Sequence, residues 1–507
     1  MVTPDRRVGG GRWHGPIVAL AAGLALGASW IDFRLWAVPW VAVAPFIALA
    51  ESHDPPQAFR LGWLGGVAGI GCAFTWLVYA FQVFGGFSSA LALALFVLPV
   101  GWMALEIALF TGLLAWLGPL PYGLAAPVTF TVVELVFPTL FPWRIAHTQS
   151  HVVTLLQTGE IAGPYLLGFA IVWVNAGVVC AVRRRERGAL VASGALVMLL
   201  VLYGAARVAT VDATRAAAPR LRVGVVQGNI GVERKGDRTF FRRNLDDYRR
   251  LSSSIAADVD LLVWPETVAQ RPIPKDARTP PSDSQPFPDA PRPLVFGGLT
   301  LESGTDERRL YNSAFLMEPD GSIVGRYDKR VLVPFGEYLP LAKQFPWLRR
   351  LSPATGHFTP GSGPALLTIG DAIRIGALIC YEDVIPGPAR EAVEHGATLL
   401  LNLTNDAWYG ASAEPYQHHA LALWRAVETR RDFIRSTNTG LTAAISATGR
   451  SLGELPIFVA ATMLVETRLL THFTFYVRWG DVFAWAIVLV WMVAAARRLA
   501  ALKTRAL

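Results

Sequence analysis

The chain has 507 residues, 53% hydrophobic and 17% charged, with a mean hydropathy of +0.38, 17 tryptophans and a formal net charge of +8. That balance excludes an ordinary soluble enzyme. It also argues against a nucleic-acid partner, because the basic residues mark the ends of apolar runs instead of lining one groove.

Apolar segments long enough for a hydrocarbon core of about 30 Å, roughly 20 helical residues each, lie near 15–31, 35–50, 60–83, 88–116, 119–139, 160–182 and 188–208, and an eighth lies at 481–499. Arg6, Arg7 and Arg12 precede the first, "RRRER" at 183–187 joins the sixth and seventh, and Arg497, Arg498, Lys503 and Arg505 follow the eighth. With an odd number of spans before the long gap, all three basic clusters fall on one side and the gap on the other. The expected organisation is therefore a seven-span membrane domain over 1–210, an extracytoplasmic domain over 211–478, and an eighth helix with a tail over 479–507. Both termini are expected in the cytoplasm.

In the gap, short apolar runs recur at "LRVGVVQ" from Leu221, "DLLVWPE" from Asp260, "PLVFGGL" from Pro293, "YNSAFLM" from Tyr311, "IRIGALICYE" from Ile373, "ATLLLNLTND" from Ala397 and "LTAAISA" from Leu441. Nearly continuous apolar runs suit strands covered on both faces. Phe241, Leu245, Tyr248, Leu251 and Ile255 follow a helical period, and a second helix is expected from about Glu414 to Arg430. The alternation predicts an α/β layered domain. The Pro-rich stretch 271–292 is expected to be a mobile loop. The stretch 336–356 mixes Phe345, Trp347 and Leu348 with Lys343, Arg349 and Arg350, which suits equally a membrane-surface arm and a loop packed on the domain.

Of three cysteines, Cys72 and Cys180 fall in apolar helices and Cys380 stands alone in the gap. An unpaired thiol in an oxidising compartment needs a reason. Cys380 ends an apolar run, as does Glu266, and Lys329 follows a third strand-like stretch. A thiolate forms readily only beside a base or a positive charge. Glu266 can take the thiol proton, and Lys329 can stabilise the thiolate and the oxyanion formed when it adds to a carbonyl. The backbone N–H of Tyr381 is a candidate second oxyanion donor. Singly, each residue also reads as a solvated strand end, a surface lysine or a buried thiol.

The order Glu266, Lys329, Cys380, within "WPE", "YDK" and "CYED", resembles the nitrilase superfamily, whose domain is an αββα sandwich with a Glu-Lys-Cys triad. With the membrane spans it resembles more narrowly the apolipoprotein N-acyltransferases. That likeness extends to "VVQGNI" from Val225, "LVPFGEYLP" from Leu332, "NLTNDAWYG" from Asn402, "RSTNTGLT" from Arg435, "FPW" at 141–143 and "TFYVRWGD" from Thr474. The resemblance implies a ping-pong acyl transfer at a bacterial inner membrane, without cofactor or metal. The donor would be a phospholipid, typically phosphatidylethanolamine. The acceptor would be the N-terminal amine of a diacylglyceryl-modified lipoprotein.

It further implies Glu266 as base, Lys329 as oxyanion stabiliser, Cys380 as nucleophile, and Glu337, Tyr381 and Glu382 in support. The sequence departs from the family pattern at Val232, at Gly236 where a tryptophan is usual, at Ser446 where an aspartate is common, and at "RIAHTQ" after "FPW". These departures bear on substrate handling. The rival readings are a membrane-tethered amidase acting on a small molecule and a non-catalytic lipoprotein binder. His418 and His419 are adjacent, so on a helix they diverge by about 100° and do not form a metal pair. They are expected at the pocket rim.

Overall fold

The computed structural model describes residues 14–506, apart from 283–284, 289, 304–307, 343, 346 and 348–355. Apolar helices run over His14–Ile31, Ala44–Ser52, Pro55–Ala73, Trp76–Gly85, Ser89–Leu117, Ala125–Val136, Tyr165–Val179, Arg187–Ala217 and Val482–Ala506. Among the described residues five helices are long and apolar enough to cross a membrane, or six if Pro55–Ala73 and Trp76–Val83, bent by 60°, form one broken span. The segments expected as spans at 35–50 and 119–139 are the shorter apolar helices Pro39–Ser52 and Pro121–Val136. Prolines punctuate them: Pro39 and Pro45 restart the backbone, and Pro138 follows Val136.

Two helices of this half touch backbone to backbone. A Cβ on Gly23 would lie 1.9 Å from the carbonyl oxygen of Gly65, and one on Gly27 would lie 2.5 Å from that of Gly69. Gly23 and Gly27, like Gly65 and Gly69, are one turn apart, so each pair forms a notch that admits the other helix. Gly65→Leu must separate them. The expected outcome is a loss of about 1–3 kcal/mol or more, read as a lower melting temperature in detergent.

The bend at 74–75 has a visible cause and support. Where the helical ladder breaks, the Ala73 carbonyl accepts a hydrogen bond from Gln417 Nε2 at 3.0 Å, and Gln417 Oε1 accepts one from Trp76 Nε1 at 2.9 Å. A broken helix is tolerated when a neighbour satisfies the freed groups. Here the neighbour belongs to the α/β half.

That half begins with β1 (Arg220–Gln227), β2 (Leu261–Val263), β3 (Ala269–Pro274), β4 (Leu294–Ser303), β5 (Arg308–Met317) and β6 (Ile323–Asp328). It continues with β7 (Leu366–Ile369), β8 (Ile373–Ile379), β9 (Leu399–Thr404), β10 (Phe433–Thr437), β11 (Ala443–Ile445), β12 (Ser451–Glu454) and β13 (Ala461–Arg468). They form a seven-stranded sheet in the order β13-β1-β2-β4-β5-β6, with β3 pairing β4, and a six-stranded sheet in the order β12-β11-β10-β9-β8-β7.

Val223, Val263 and Leu316 of the first sheet meet Ile375, Leu401 and Ile434 of the second in one buried cluster. Outside the first sheet, Leu245 and Tyr248 of the helix Phe241–Ser253 cover Trp264 and Phe296. Outside the second, Val393 and Trp424, from helices Pro386–Glu394 and Glu414–Thr429, cover Leu400 and Phe433. The layers therefore run α, β, β, α. Both faces of β9 are covered, which is why "LLLNLT" is buried throughout. The outer cluster of the second sheet continues into Leu155, Leu156 and Leu167 of the helical half.

One expectation meets a different outcome. The stretch from Arg271 starts as β3 rather than as a loop, and its described remainder is pinned. Arg249 donates to the carbonyls of Pro286 and Gln285 at 2.7 and 2.6 Å, and Arg326 donates to that of Lys275 at 2.6 Å. In the arm at 336–356, Lys343, Leu348, Arg349 and Arg350 lie outside the described residues. Leu341, Phe345 and Trp347 are exposed.

Candidate active site

Strand ends bring the expected residues together. Lys329 directly follows β6, Cys380 directly follows β8, and Glu266 stands three residues beyond β2. Glu266 and Lys329 are buried, Lys329 with 1% of its surface exposed. Cys380 has φ +52° and Thr267, next to Glu266, also has φ +52°. Left-handed backbone at a residue with a Cβ costs about 1–2 kcal/mol. It turns the cysteine sharply out of the sheet.

Asn312 of β5 organises the acidic side. Its Nδ2 donates to Glu266 Oε1 at 2.7 Å and to Glu337 Oε1 at 3.2 Å, while its carbonyl accepts from the Lys329 N–H at 2.8 Å. Lys329 Nζ donates to Glu337 Oε1 at 2.9 Å, and Glu337 Oε2 accepts from the Val333 N–H at 2.8 Å. Glu382 is a buried staple. It accepts from Tyr327 Oη at 2.9 Å and from the N–H groups of Arg330 at 2.7 Å, Val331 at 3.0 Å and Ile379 at 2.8 Å. One carboxylate thus fastens the loop after Lys329 to the strand that ends at Cys380.

The charges act on one another. Burial pushes the Cys380 thiol well above its usual range, Glu266 adds to this, and Lys329 opposes it. Burial likewise raises Glu266 against the pull of Lys329. Lys329 is held above the ordinary lysine value: burial works against its charge, but Glu337, Cys380 and Glu266 outweigh it. A second lysine shares the chamber. Lys235 Nζ donates to the Glu266 carbonyl at 2.7 Å, and burial lowers its pKa to about 8 despite Glu266 and Cys380. The resting state is a neutral thiol beside a fixed ammonium and a carboxylate that binds a proton more readily than usual.

A further network supports the cysteine turn. Asn402 Nδ2 donates to the Cys380 carbonyl at 3.3 Å and also to Asp383. Asp383 accepts from Arg435 Nε at 2.9 Å and from His418 Nε2 at 2.7 Å. Burial opposes charge on His418, yet Asp383 and Asp406 carry its pKa to about 10. Asp406, Glu414 and His418 each bring one donor atom within 4.8 Å of the others. Both His418 nitrogens are engaged, one by Asp383 and the other by Asp406 at 3.1 Å. Asp406 Oδ2 and Glu414 Oε2 are buried without a hydrogen-bond partner among the described residues.

Cys380 opens into a cavity walled by both halves of the chain. Trp76, Phe141 and Trp143 come from the helical half, and Tyr381, Tyr409 and Leu421 from the α/β half. The aromatic rings meet edge to face, with Trp76 to Tyr409 at 5.1 Å, Trp76 to Phe141 at 5.5 Å and Phe141 to Tyr381 at 6.0 Å. The Tyr381 hydroxyl donates to the Leu140 carbonyl. A reactive thiol thus faces a largely apolar space.

The model of the apolipoprotein N-acyltransferase N-terminal domain matches residues 22–177, and that of carbon-nitrogen hydrolase matches residues 222–469. The chain is 34% identical over 503 residues to the apolipoprotein N-acyltransferase of Geobacter metallireducens, covering 93% of each. The chain belongs to the apolipoprotein N-acyltransferase family. It is also 32% identical to the enzyme of that name from Pseudomonas putida, over 96% of this chain and 97% of the relative. Among solved structures, an amidase from Nesterenkonia sp. AN1 is 20% identical and aligns over 52% of this chain and 97% of that one, with a TM-score of 0.37. The α/β half is a nitrilase-like domain.

Within this N-acyltransferase family member, Glu266, Lys329, Glu337, Cys380, Tyr381 and Glu382 all gather at one place. Sequence reasoning gave no role to Asn312, Lys235, Asp383, Arg435 or His418. Asn312 carried a signal, as the one amide in the apolar run "YNSAFLM". Of the departures, Val232 and Gly236 bound the short helix that carries Lys235, and Ser446 lies in a buried turn against Thr448 and Arg450.

Gly297 offers a test of how tightly the Glu266 turn is held. A Cβ there would lie 2.5 Å from the Pro265 carbonyl oxygen and 2.6 Å from Glu266 Cα. Gly297→Ala is expected to move Glu266 by a few tenths of an ångström or more and to slow acyl transfer by about 10–100-fold. Lipid binding should change little, which a titration alongside the rate measurement checks.

Proposed function

We propose that the chain moves a fatty acyl group from a phospholipid to the N-terminal amine of a diacylglyceryl-modified lipoprotein, with Cys380 carrying the group as a thioester. The acyltransferase activity on lipoproteins follows from the family. The assignment of roles to residues is our reading of the geometry. Glu266 takes the Cys380 proton as the sulfur adds to the sn-1 ester carbonyl. The resulting oxyanion is met by the Lys329 ammonium and the Tyr381 N–H. The adduct collapses, and the departing lysophospholipid oxygen takes the proton back from Glu266. In the second half-reaction the lipoprotein amine attacks the thioester and gives a proton to Glu266, which returns it to the leaving Cys380 sulfur. Glu337 fixes Lys329, and Glu382 fixes the turn that aligns the lysine with the cysteine.

The observation that carries this reading is the position of the thiol in an apolar cavity built jointly by the helical bundle and the α/β domain. The cavity measures about 20 Å³ as it stands, so an acyl chain reaches the sulfur as the aromatic wall moves aside, with its head group at a surface. A small-molecule amidase would have no use for a wall supplied by the bundle, and a mere binder none for the Asn312–Glu337–Lys329 arrangement. In our reading the bundle spans the inner membrane several times, with eight crossings counting the short helices. The α/β domain over 211–478 then faces the periplasm, and phosphatidylethanolamine is the favoured donor.

Intact-mass measurement after incubation with phosphatidylethanolamine should show one fatty-acyl adduct that hydroxylamine removes. Adding a diacylglyceryl-cysteinyl peptide should discharge that adduct and make the peptide heavier by the same acyl mass. Peptide acylation without any enzyme adduct would sink the thioester route. Reaction of cysteines introduced at 408 and at 503 with an impermeant reagent, in intact and in opened cells, tests the sidedness.

A further inference from the structure

A second cavity, about 470 Å³, lies at the opposite end of the helical bundle from Cys380. The helix Ala125–Val136 begins at this cleft, and the chain leaving it supplies Leu140 and Phe141 to the surroundings of Tyr381. Tyr165–Val179 and Val482–Ala506 reach the cleft with their later turns, at Ala176 and Arg498. Its volume is within the range of about 300–1,000 Å³ that encloses ligands.

One wall is apolar and cut back, within a lining that also carries Glu51, His53, Arg184 and Arg498. Leu114 and Leu120 stand beside Ala125, Ala126 and Ala176, and the chain turns at Gly118 and Gly123 with φ of +77° and +70°. Small side chains facing one another leave space that forfeits dispersion contacts when nothing fills it. The mouth has the opposite character. Arg184 and Glu51 pair there at 2.7 Å. Arg498 remains over: its Nε is buried and has no hydrogen-bond partner among the described residues. Internal pairing therefore leaves Arg498 with a buried, unpartnered Nε beside the cleft, at the end of the bundle that also carries Arg183, Arg185 and Arg497.

We infer that this cleft binds an anionic phospholipid, with its phosphate against Arg498 at the mouth and an acyl chain along the alanine-lined wall. Guanidinium and phosphate pair through parallel N–H donors, and basic pockets between helices on the cytoplasmic side suit anionic head groups. Because the cleft is remote from the thiol, the lipid held here is distinct from the acyl donor. It would tie the last helix to the bundle. The inference rests on the membrane reading above.

Three photoreactive probes test it on the full chain in lipid nanodiscs. One is a phosphatidylglycerol with a diazirine on its head group, the second a phosphatidylcholine with a diazirine on its head group, and the third a phosphatidylcholine with a diazirine at the end of an acyl chain. The phosphatidylglycerol probe is expected to mark peptides around 47–53, 114–126 and 494–499. Arg498→Gln should reduce that labelling by about five- to tenfold, and Leu120→Trp, which fills the slot without touching a charge, should do the same. Labelling unchanged in both variants would overturn the site. So would full displacement by inorganic phosphate, which would make it a free-anion site, or equal labelling by a phosphatidylcholine head-group probe. If the acyl-chain probe marks no peptide of Ser89–Leu117, the membrane reading itself has failed, a result separate from loss of head-group labelling alone.

Discussion

Cys380→Ala is expected to lower acyl transfer by about four orders of magnitude or more, as loss of a covalent nucleophile does in other acyl-transfer enzymes, while the melting temperature stays close to that of the parent. The thiol borders the cavity and only the margin of the inter-sheet core. The turn is secured instead by Glu382 and by Asn402, whose amide reaches the Cys380 carbonyl at 3.3 Å. Alanine at φ +52° bears about the same backbone strain as cysteine. Cys380→Ser should be nearly as slow, because the burial that raises the thiol weighs more heavily still on an alcohol. Transfer to a diacylglyceryl peptide measures the rate, and residual activity within tenfold of the parent would remove Cys380 from the chemistry.

Glu266→Gln should separate activity from stability. As a base, Glu266 must be a carboxylate, and burial has raised its pKa above the ordinary 4.5. The rate of the parent should therefore fall as pH drops through that raised value. The glutamine variant should lose about 10²–10⁴ in rate and with it this acid limb. The effect on folding has the opposite sign. A carboxyl group whose pKa is raised in the native state binds more protons there than in the unfolded chain, so stability declines as pH rises from the unfolded value through the folded one. Glutamine removes that penalty and keeps an acceptor for Asn312 Nδ2. Above this window the variant is expected to melt no lower than the parent, and a melting point depressed by several degrees would contradict the buried-carboxylate account.

The strands legible in the sequence were those covered on both faces, such as "LLLNLT", where burial forces an unbroken apolar run. Missed were β3, β6, β7, β12, β13, whose "ATMLVETR" alternates with exposed Leu464, and β10. All but β10 lie at or toward sheet edges, where one face meets water and the pattern weakens; β10, "FIRST", is central and buried, but Arg435, Ser436 and Thr437 break its apolar run. Glu266 and Cys380 were readable because each stands where an apolar run stops, and Lys329 because it sits in "YDK", the motif that carries the resemblance. Asp383, His418 and Arg435 were not, because a buried ion pair is assembled by the fold from distant positions, and each member alone looks like a surface charge. The cavity was equally hidden: Trp76 and Tyr409 are brought ring to ring only by the docking of the two halves.

The Gln417 clasp on the broken helix bears on the order in which the molecule can be made. Trp76 precedes Gln417 by 341 positions, so the bundle's first helices leave the ribosome long before the amide that satisfies them. Until then the Ala73 carbonyl and the Trp76 N–H have no protein partner at that bend, and the wall that will face Cys380 is unfinished. Synthesis thus ends with a closing step in which the late domain completes an early helix. A bundle and a domain expressed as separate pieces would each lack half of the acyl chamber. Activity should return only on their reassociation.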